Sequence, residues 1–421
     1  MADKIQSPKG THDILPDEAG RWQSAEASLR DIMDVYGYGE IRTPVFEKSE
    51  LFARGVGETS DIVSKEMYTF DDKGGTSLTL KPEITAPVIR SYIQHSLAKK
   101  SPLTKLYYID SAFRQERPQA GRFRQFRQYG VEAIGSPHPE MDAEVIALAF
   151  ESLISLGLDD LTLKLNSIGE ADSRKNYRDA LRDFLTPHVS DLSETSQKRF
   201  ETNPLRILDT KIPDEQKLLQ NAPEISDYLH DEDKNHFSEV CDLLKQCSIP
   251  YELDSALVRG LDYYTRTTFE ITSPALGAQD AVCGGGRYDG LVETLGGPST
   301  PAIGFAAGIE RILLCLEAKG SPDSQNGTQV YFIAQNDEVR ETVIRLLQAS
   351  RQAGVQSDFD PLRRSMKAQL REANRIGAGI AVIVGETEIE AKKAQVKNLA
   401  SGDQSSVSFD KLPEHLAALQ I

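Results

Sequence analysis

The sequence is poor in cysteine and has no long apolar run. Only 4 of its 421 residues are cysteine, and none of them belongs to a CxxC pair. Four scattered cysteines are too few for a disulfide framework, so we expect a reducing, cytoplasmic setting. No apolar run approaches the roughly 20 residues of a membrane span, and the opening MADKIQSPKG lacks the apolar core of a signal peptide. We therefore expect no membrane partner.

Zinc binding is the other common use of cysteine. His230, His236, Cys241 and Cys247 lie close together in the sequence. Their spacings match no paired zinc-ligand pattern, and Cys247 falls on an apolar helical stripe that begins at Val240. We therefore expect no metal ion held by protein ligands.

Positive charge is scarce but concentrated. The formal net charge of −16 argues against indiscriminate binding of nucleic acid, because phosphate affinity depends on clustered Lys and Arg. The segment 113–132 nevertheless contains five arginines, namely Arg114, Arg117, Arg122, Arg124 and Arg127. Pro118 and Gly121 interrupt this segment, which predicts an antiparallel hairpin with arginines at its bend. Guanidinium groups grip phosphate and the interleaved Phe123 and Phe126 offer faces to a base, so the hairpin favours an ATP-like ligand over a merely solvated loop.

The second half of this hairpin predicts a ligand-binding floor. If residues 124–134 form a strand, the side chains of Phe126, Gln128 and Glu132 share one face, and Arg127 and Tyr129 lie on the other. A sheet face that combines polar groups with an aromatic ring is suited to a small polar ligand.

A second polar pair lies upstream. Pro82 and Pro87 bound a predicted loop that carries Glu83 and Thr85. Two positions apart in an extended chain, these side chains point to the same side. The segment is either part of a site or an ordinary connection between a strand and a helix.

Two later segments also suit a ligand. The run CGGGRYDGL at 283–291 lacks the GxGxxG spacing of a dinucleotide site, but adjacent glycines let a backbone approach a ligand closely. The segment 301–318 predicts a strand that runs into a helix, with Arg311 in the first helical turn. Arg311 is well placed for a nucleotide there, and the alternative is a solvated helix residue.

The middle and the end of the chain differ in character. Residues 169–249 are acidic and have helical patterns, which predicts an inserted helical subdomain. After a linker at 321–327, strands and helices alternate and predict a separate α/β domain. A helix predicted at 364–376 gathers basic residues at helical spacing: Arg363, Arg364, Lys367, Arg371 and Arg375. This stripe is either a solvated face or a surface that meets phosphate.

Several segments resemble class II aminoacyl-tRNA synthetases. FRQERPQAGRFRQF is similar to motif 2 of that class, GFAAGIERILL to motif 3, and GEIRTPVFE to motif 1 with its proline at Pro44. LVRGLDYYTRTTFE and CGGGRYDGL resemble the two histidine-specific peptides of histidyl-tRNA synthetases, and KGTHDILP and TLKPEITAP resemble further segments of that family. The resemblance covers essentially the whole chain, and several motifs in order are far more specific than any one of them.

The resemblance implies a fold and a two-step reaction. It implies an α+β catalytic domain at 1–325 with a mixed, mainly antiparallel sheet and a helical insertion at about 170–249, followed by an α/β anticodon-binding domain at 326–421. The reaction would join L-histidine to ATP-Mg²⁺, release pyrophosphate, and pass histidine from histidyl-adenylate to the 3′ end of histidine tRNA. The family also implies a homodimer.

The resemblance implies roles for particular residues. The ATP-binding set is Arg114, Glu116, Arg122, Phe126 and Arg311. The histidine-binding set is Glu83, Thr85, Arg114, Gln128, Glu132, Arg259, Tyr263, Tyr264 and Tyr288. Arg114 and Arg259 would be catalytic, with Arg259 against the α-phosphate where other class II enzymes use a metal ion. The candidates for tRNA contact are Arg363, Arg364, Lys367 and Arg371.

Two other functions compete with this interpretation. A regulatory subunit of ATP phosphoribosyltransferase shares the catalytic fold without aminoacylating, but it typically lacks the anticodon-binding domain and parts of the RGLDYY peptide. Here RGLDYY is intact at 259–264 and an α/β domain follows it. Another class II synthetase or an amino-acid–adenylate ligase would retain the hairpin but not the two histidine peptides.

Overall fold

The computed structural model describes residues 4–57, 60, 62–258, 260–277, 280–320 and 329–419. The chain divides into two compact units, Met1–Asp323 and Ser324–Ile421. Among the described residues, the first unit contains two sheets and the second contains one, and each unit has its own buried apolar core. In the described part of the chain, no helix combines the length and apolar character needed to cross a membrane.

The first unit is organised around a large sheet. The strands of the first unit are β1 (Gly39–Glu40), β2 (Phe46–Lys48), β3 (Tyr68–Asp71), β4 (Ser77–Leu80), β5 (Thr104–Phe113), β6 (Gln125–Ile134), β7 (Thr162–Ser167), β8 (Glu252–Leu253), β9 (Thr265–Thr272), β10 (Ala281–Arg287) and β11 (Ala302–Gly308). Eight of them form one sheet in the order β1-β5-β6-β11-β10-β9-β7-β8. The two edge pairs are parallel and the other five pairs are antiparallel. This confirms the predicted mixed, mainly antiparallel sheet.

Helices cover this sheet and fill the predicted insertion. They are α1 (Pro16–Val35), α2 (Ser49–Val56), α3 (Thr85–Gln94), α4 (Pro139–Ser155), α5 (Ala171–Leu185), α6 (Glu194–Thr202), α7 (Pro213–Leu219), α8 (Asp231–Gln246), α9 (Leu291–Thr294) and α10 (Ile309–Ala318). Proline in the first turn of α1 and of α4 suits those helices, because the N–H that proline lacks has no helical partner there. Leu29 and Met33 of α1 are buried in the same apolar cluster as the core face of the sheet.

The arginine-rich segment forms the predicted hairpin. β5 and β6 pair antiparallel from Thr104–Ile134 to Phe113–Gln125, and residues 114–124 connect them. The predicted alternation along β6 is confirmed on its core face: Tyr129, Val131 and Ala133 are buried in the main apolar cluster. Arg127 Nη1 donates to Glu26 Oε1 of α1 at 2.9 Å, so its side chain lies away from the ligand face.

From its residues alone, GEIRTPVFE predicts one short strand, with Pro44 where the strand ends or lies at an edge, and the single strand is wrong. β1 and β2 are separate strands in different sheets, β1 at the edge of the large sheet and β2 in a three-stranded sheet of order β2-β4-β3. Pro44 lies between them. It has no backbone N–H to donate to a neighbouring strand, so the chain can leave one sheet there and enter another.

The second unit is a small α/β layer structure. Its strands are β12 (Val330–Ala334), β13 (Ser357–Phe359), β14 (Ile380–Val384), β15 (Lys393–Asn398) and β16 (Gln404–Ser408), and its helices are α11 (Arg340–Gln352), α12 (Met366–Arg375), α13 (Glu386–Ala391) and α14 (Leu412–Ala418). The sheet order is β13-β12-β14-β15-β16. The first two pairs are parallel and the last two antiparallel, as the alternation of strands and helices in the sequence predicts for most of its length.

Candidate active site

A closed group of polar side chains lies on the ligand face of β6. We call Glu83, Thr85, Tyr108, Glu132 and Tyr288 the carboxylate cluster. Thr85 Oγ1 donates to Glu132 Oε1 at 2.7 Å, and the Tyr108 hydroxyl donates to the same oxygen at 3.4 Å. The Tyr288 hydroxyl donates to Glu132 Oε2. Both oxygens of a side chain that is only 1% exposed are thus hydrogen-bonded.

Glu83 reaches the cluster in a way that the sequence did not indicate. The prediction that Glu83 and Thr85 share one side of an extended loop is wrong, because Thr85 begins helix α3. Glu83 accepts hydrogen bonds from the backbone N–H groups of Thr85 at 2.8 Å and Ala86 at 3.0 Å. A carboxylate is favourable there, since the first N–H groups of a helix lack helical partners.

Burial changes the acidity of both carboxyl groups. Desolvation raises the pKa of Glu132 to about 8, although the hydroxyl donors Tyr288 and Thr85 oppose the shift. Desolvation likewise raises the pKa of Glu83 to about 7, opposed by the N–H groups of α3 and by the charge of Arg114. In the absence of a cationic ligand, burial therefore favours the protonated form of both carboxyl groups.

The absence of a side chain at Gly304 makes room for the carboxylate of Glu132. In the sheet, Gly304 of β11 pairs with Glu132. A Cβ atom at position 304 would lie 2.0 Å from Glu132 Oε2, so only glycine leaves space for the carboxylate. The sequence contained a signal for this in the small-residue run of β11, but nothing in it indicated which side chain fills the space.

The histidine-peptide tyrosines lie against the cluster. The ring centroids of Tyr263 and Tyr264 are 4.7 Å apart, and those of Tyr263 and Tyr288 are 5.5 Å apart. Tyr264 is 7% exposed. Arg259, the remaining member of that peptide among the candidates, lies outside the described residues, and its role stays a prediction.

A cavity of about 740 Å³ lies beside the carboxylate cluster; we call it the arginine cleft. The whole predicted ATP-binding set lines it: Arg114, Glu116, Arg122, Phe126 and Arg311. Gln128 lines it as well, and the Oε1 atom of Gln128 is buried without a hydrogen-bond donor in the described structure. A buried acceptor of this kind is costly unless a ligand supplies a donor.

Backbone contacts hold the cationic side chains of the arginine cleft. Arg114 Nε donates to the Pro82 carbonyl at 2.8 Å, and its guanidinium carbon lies 5.2 Å from the centroid of the Phe126 ring. Arg311, in the first turn of α10 as predicted, donates from Nε to the Ala281 carbonyl at 2.8 Å. Desolvation, with a smaller contribution from the nearby Arg122, lowers the pKa of Arg311. An anionic ligand would relieve this electrostatic cost.

The helical insertion also lines the arginine cleft, which the sequence did not predict. Its contribution comes from α6 and from the segment before α7, with Ser196, Arg199, Thr210 and Lys211 among the lining residues. Lys211 Nζ lies 3.1 Å from Asp209 Oδ1. These residues belong to no recognisable motif, so only the packing of the insertion identifies them.

The basic stripe predicted in the second unit lies only partly on a helix, because α12 carries three of its five residues. Arg363 and Arg364 precede α12, and Arg364 pairs with the buried Asp360 through Nε and Oδ1 at 2.6 Å. Lys367 and Arg371, four positions apart on α12, are exposed. Helical spacing alone could not distinguish arginines with acidic partners from those that face solvent.

A second cavity, of about 320 Å³, lies in this unit. It lies where β12 and β13 end, and its wall includes Arg340, Phe359, Asp360 and Arg363. Ligands of α/β folds commonly bind at the carboxyl ends of parallel strands.

The chain is similar to known proteins along nearly its whole length. Residues 10–312 match the family model described as Histidyl-tRNA synthetase, and residues 329–419 match the model described as Anticodon binding domain. The histidine–tRNA ligase of Geobacillus thermodenitrificans (strain NG80-2) is 50% identical over 416 residues, which cover 98% of each chain. That of Lysinibacillus sphaericus (strain C3-41) is 49% identical over 97% of this chain and 98% of the relative. The crystal structure of apo S. aureus histidyl-tRNA synthetase aligns with a TM-score of 0.84 at 40% identity, over 98% of this chain and 100% of that one.

Proposed function

The chain belongs to the histidyl-tRNA synthetase family, and from that premise we propose that it activates L-histidine with ATP-Mg²⁺ and transfers it to the 3′ end of histidine tRNA. The observation that carries the proposal is an enclosed carboxylate cluster next to an arginine-lined cleft. The activity is that of an ATP-dependent ligase of histidine and tRNA. The rival function, a regulatory subunit that does not aminoacylate, has less support, because relatives about 50% identical over the whole chain are histidine–tRNA ligases.

In the proposed complex, histidine spans the boundary between cluster and cleft. Arg114 lines the cleft and its charge acts on Glu83, so the substrate carboxylate lies near Arg114 and the α-ammonium group near Glu83. The imidazole ring then extends toward Glu132, whose oxygens already accept hydrogen bonds from hydroxyl groups. An amino acid without a ring N–H cannot donate to Glu132 and therefore binds less tightly than histidine.

ATP takes the arginine cleft. Phe126 offers an aromatic face to adenine, Arg311 approaches the base from the other side, and Glu116 accepts from the exocyclic amine. Arg122, whose Nη1 lies 3.6 Å from Glu116 Oε2, adds positive charge beside the polyphosphate. Magnesium arrives with ATP as part of the substrate.

The adenylation step forms one bond and breaks another. A carboxylate oxygen of histidine attacks the α-phosphorus, and the bond from that phosphorus to the pyrophosphate oxygen breaks. Negative charge grows on the α-phosphoryl oxygens, where Arg114, held by the Pro82 carbonyl, stabilises it without reorganising. Alignment of the two reactants supplies much of the remaining acceleration. We assign Arg259 the second cationic contact.

Transfer completes the reaction. A hydroxyl of the terminal tRNA nucleotide attacks the histidyl carbonyl, and AMP leaves.

The second unit matches an anticodon-binding family model, so we assign it the anticodon end of the tRNA. Lys367 and Arg371 are the proposed contacts to the tRNA backbone, because they are exposed and adjacent on one face of α12. Arg363 and Arg364, the other candidates, lie just before that helix. The protein is proposed to act as a cytoplasmic homodimer.

The decisive experiment is amino-acid-dependent exchange of pyrophosphate into ATP. We expect exchange with histidine and none with the other amino acids. Absence of exchange with histidine, under conditions in which ATP binds, would contradict the synthetase function and favour the regulatory-subunit alternative. Exchange with another amino acid would indicate a different synthetase.

The role of α12 has its own test. Replacing both Lys367 and Arg371 with alanine should weaken tRNA binding and reduce the slope of log affinity against log salt by about 1 for each phosphate that the variant no longer neutralises. Arg345→Ala, an exposed arginine of α11, is the matched control. An unchanged slope in the double variant would return Lys367 and Arg371 to an ordinary solvated surface.

A further inference from the structure

Helix α8 buries two polar side chains that belong to neither substrate site. Asp233 is 2% exposed and His236 is 7% exposed. They are three positions apart, so both leave the helix on the same side. Buried polar groups are unfavourable unless they are hydrogen-bonded, and the partners of these two define a specific geometry.

The first contact chain runs from His236 into the large sheet. His236 Nε2 lies 3.1 Å from Asp142 Oδ1 of α4, and Arg287 Nε donates to Asp142 Oδ2 at 3.1 Å. Asp142 and Arg287 are both fully buried. Burial alone would raise the pKa of Asp142, but the hydrogen bond from His236 and the charge of Arg287 hold it below its usual range. The carboxylate is therefore ionised and bound on both sides.

The first contact chain ends at Tyr288. Arg287 Nη1 also donates to Asp289 Oδ1 at 3.1 Å, and the same oxygen accepts the backbone N–H of Ala302 at 3.0 Å. The backbone N–H of Tyr288 donates to the Ala302 carbonyl at 2.8 Å. The residues on both sides of Tyr288 are thus fixed, and its hydroxyl is directed at Glu132.

The second contact chain runs from Asp233 to the other histidine peptide. Asp233 Oδ1 accepts from Arg266 Nε at 3.0 Å, while Asp233 Oδ2 accepts from Ser173 Oγ at 2.8 Å. Arg266 has φ of 48°, in the left-handed region that a non-glycine residue adopts only at an energetic cost. Its contact with Asp233 helps to maintain this backbone conformation two residues after Tyr264.

We infer that Asp233 and His236 are positioning residues of the histidine pocket, through which α8 holds the segments of Tyr264 and Tyr288. This inference rests on the proposed activation of histidine. Neither residue lines the arginine cleft. Disruption of either contact chain should therefore loosen the tyrosines and weaken histidine binding, and leave ATP binding as it is.

The test uses the full-length protein and separate kinetics for the two substrates. His236→Phe keeps a ring of similar size but removes the hydrogen bond to Asp142, and His236→Gln restores an N–H donor. In ATP–pyrophosphate exchange, we expect His236→Phe to raise the histidine KM on the order of tenfold to a hundredfold. The reason is that even a small displacement of the tyrosines that contact the substrate has an effect of this size. The KM for ATP should not change, and His236→Gln should recover most of the loss.

A matched control removes another buried hydrogen bond of α4. Ser152 lies 2.9 Å from the Tyr129 hydroxyl, and neither residue belongs to the two contact chains described above, so Ser152→Ala should leave both KM values unchanged. The inference is overturned if His236→Phe leaves the histidine KM unchanged, raises both KM values in parallel, or merely equals Ser152→Ala. If His236→Phe does not fold, Asp233→Asn replaces it in this test, and its KM values for histidine and ATP are judged in the same way.

Calorimetric titration with histidine alone separates this inference from the proposed function. A wild-type protein that binds histidine but shows no exchange would overturn the proposed function, and the histidine Kd of the variants would still decide the role of α8. A wild-type protein with normal exchange, together with variants of unchanged histidine Kd, would overturn the role of α8 alone.

Discussion

The carboxylate cluster and the arginine cleft are neighbours that are built in opposite ways. In the cluster, Glu132 is 1% exposed and both of its oxygens have protein donors before any ligand arrives. In the cleft, the cationic side chains line about 740 Å³ of space, and the buried Oε1 atom of Gln128 lacks a donor in the described structure. One region is satisfied and closed, and the other is charged and open.

The difference follows from what each region is proposed to bind. Discrimination of a small amino acid requires buried, pre-arranged acceptors, because an amino acid that cannot donate to them loses contacts that histidine makes. A polyphosphate instead carries several charges that need cations, and ATP must enter and pyrophosphate must leave. The shared wall at Arg114 and Gln128 is where the two requirements meet.

The largest effect that would sharpen this comparison is expected at the shared wall. Arg114→Ala should lower the kcat of histidine-dependent exchange by about 10²- to 10³-fold, the usual cost of removing a group that stabilises transition-state charge. Arg117→Ala is the matched control, because Arg117 is an exposed arginine of the same connection between β5 and β6. A loss of similar size in both variants would indicate general disruption of the loop and break the distinction.

The next effect concerns the closed region. Glu132→Gln keeps the shape of the side chain but cannot carry charge, so the histidine KM should rise by about tenfold to a hundredfold, the range for a hydrogen bond to a charged group. The KM for ATP should stay near that of the wild-type protein. A parallel rise of both would mean that cluster and cleft do not bind separate substrates.

The same variant should be more stable than the wild-type protein at high pH. Since burial raises the pKa of Glu132 from 4.5 to about 8, its contribution to stability is fully present below pH 4.5 and is lost as the pH rises through 8. Glu132→Gln does not incur this loss. Its urea midpoint should match the wild-type midpoint near pH 5 and exceed it at pH 8.5. Glu140→Gln, an exposed carboxyl group on α4, should show no such trend; an equal trend there would remove burial as the cause.

The smallest effect is expected in the open region. Phe126→Ala should raise the KM for ATP by about tenfold, because stacking of a base on an aromatic ring contributes roughly 1–3 kcal/mol. Phe123 lines the same cleft but already packs against His12, with ring centroids 4.6 Å apart. If Phe123→Ala has the larger effect on ATP, the stacking residue is wrongly assigned.

Much of this site was predictable from local patterns. The antiparallel hairpin, the opposite faces of β6, the position of Arg311 in a first helical turn and the α/β character of the second unit all follow from residue spacing. These features depend on the geometry of a few consecutive residues, which a sequence shows directly. The order of the motifs then indicated the family.

The remaining features depended on residues that are far apart in the chain. Only the tertiary structure shows that Tyr288 donates to Glu132, that the insertion lines the cleft, and that α8 connects to both tyrosine segments. Arg364 illustrates the reason. Its spacing resembles that of a phosphate contact, but it pairs at 2.6 Å with Asp360, four residues earlier, which the packing of this unit buries. Spacing determines which side of an element a residue occupies, whereas its partner, its burial and its pKa are decided by what packs against that side.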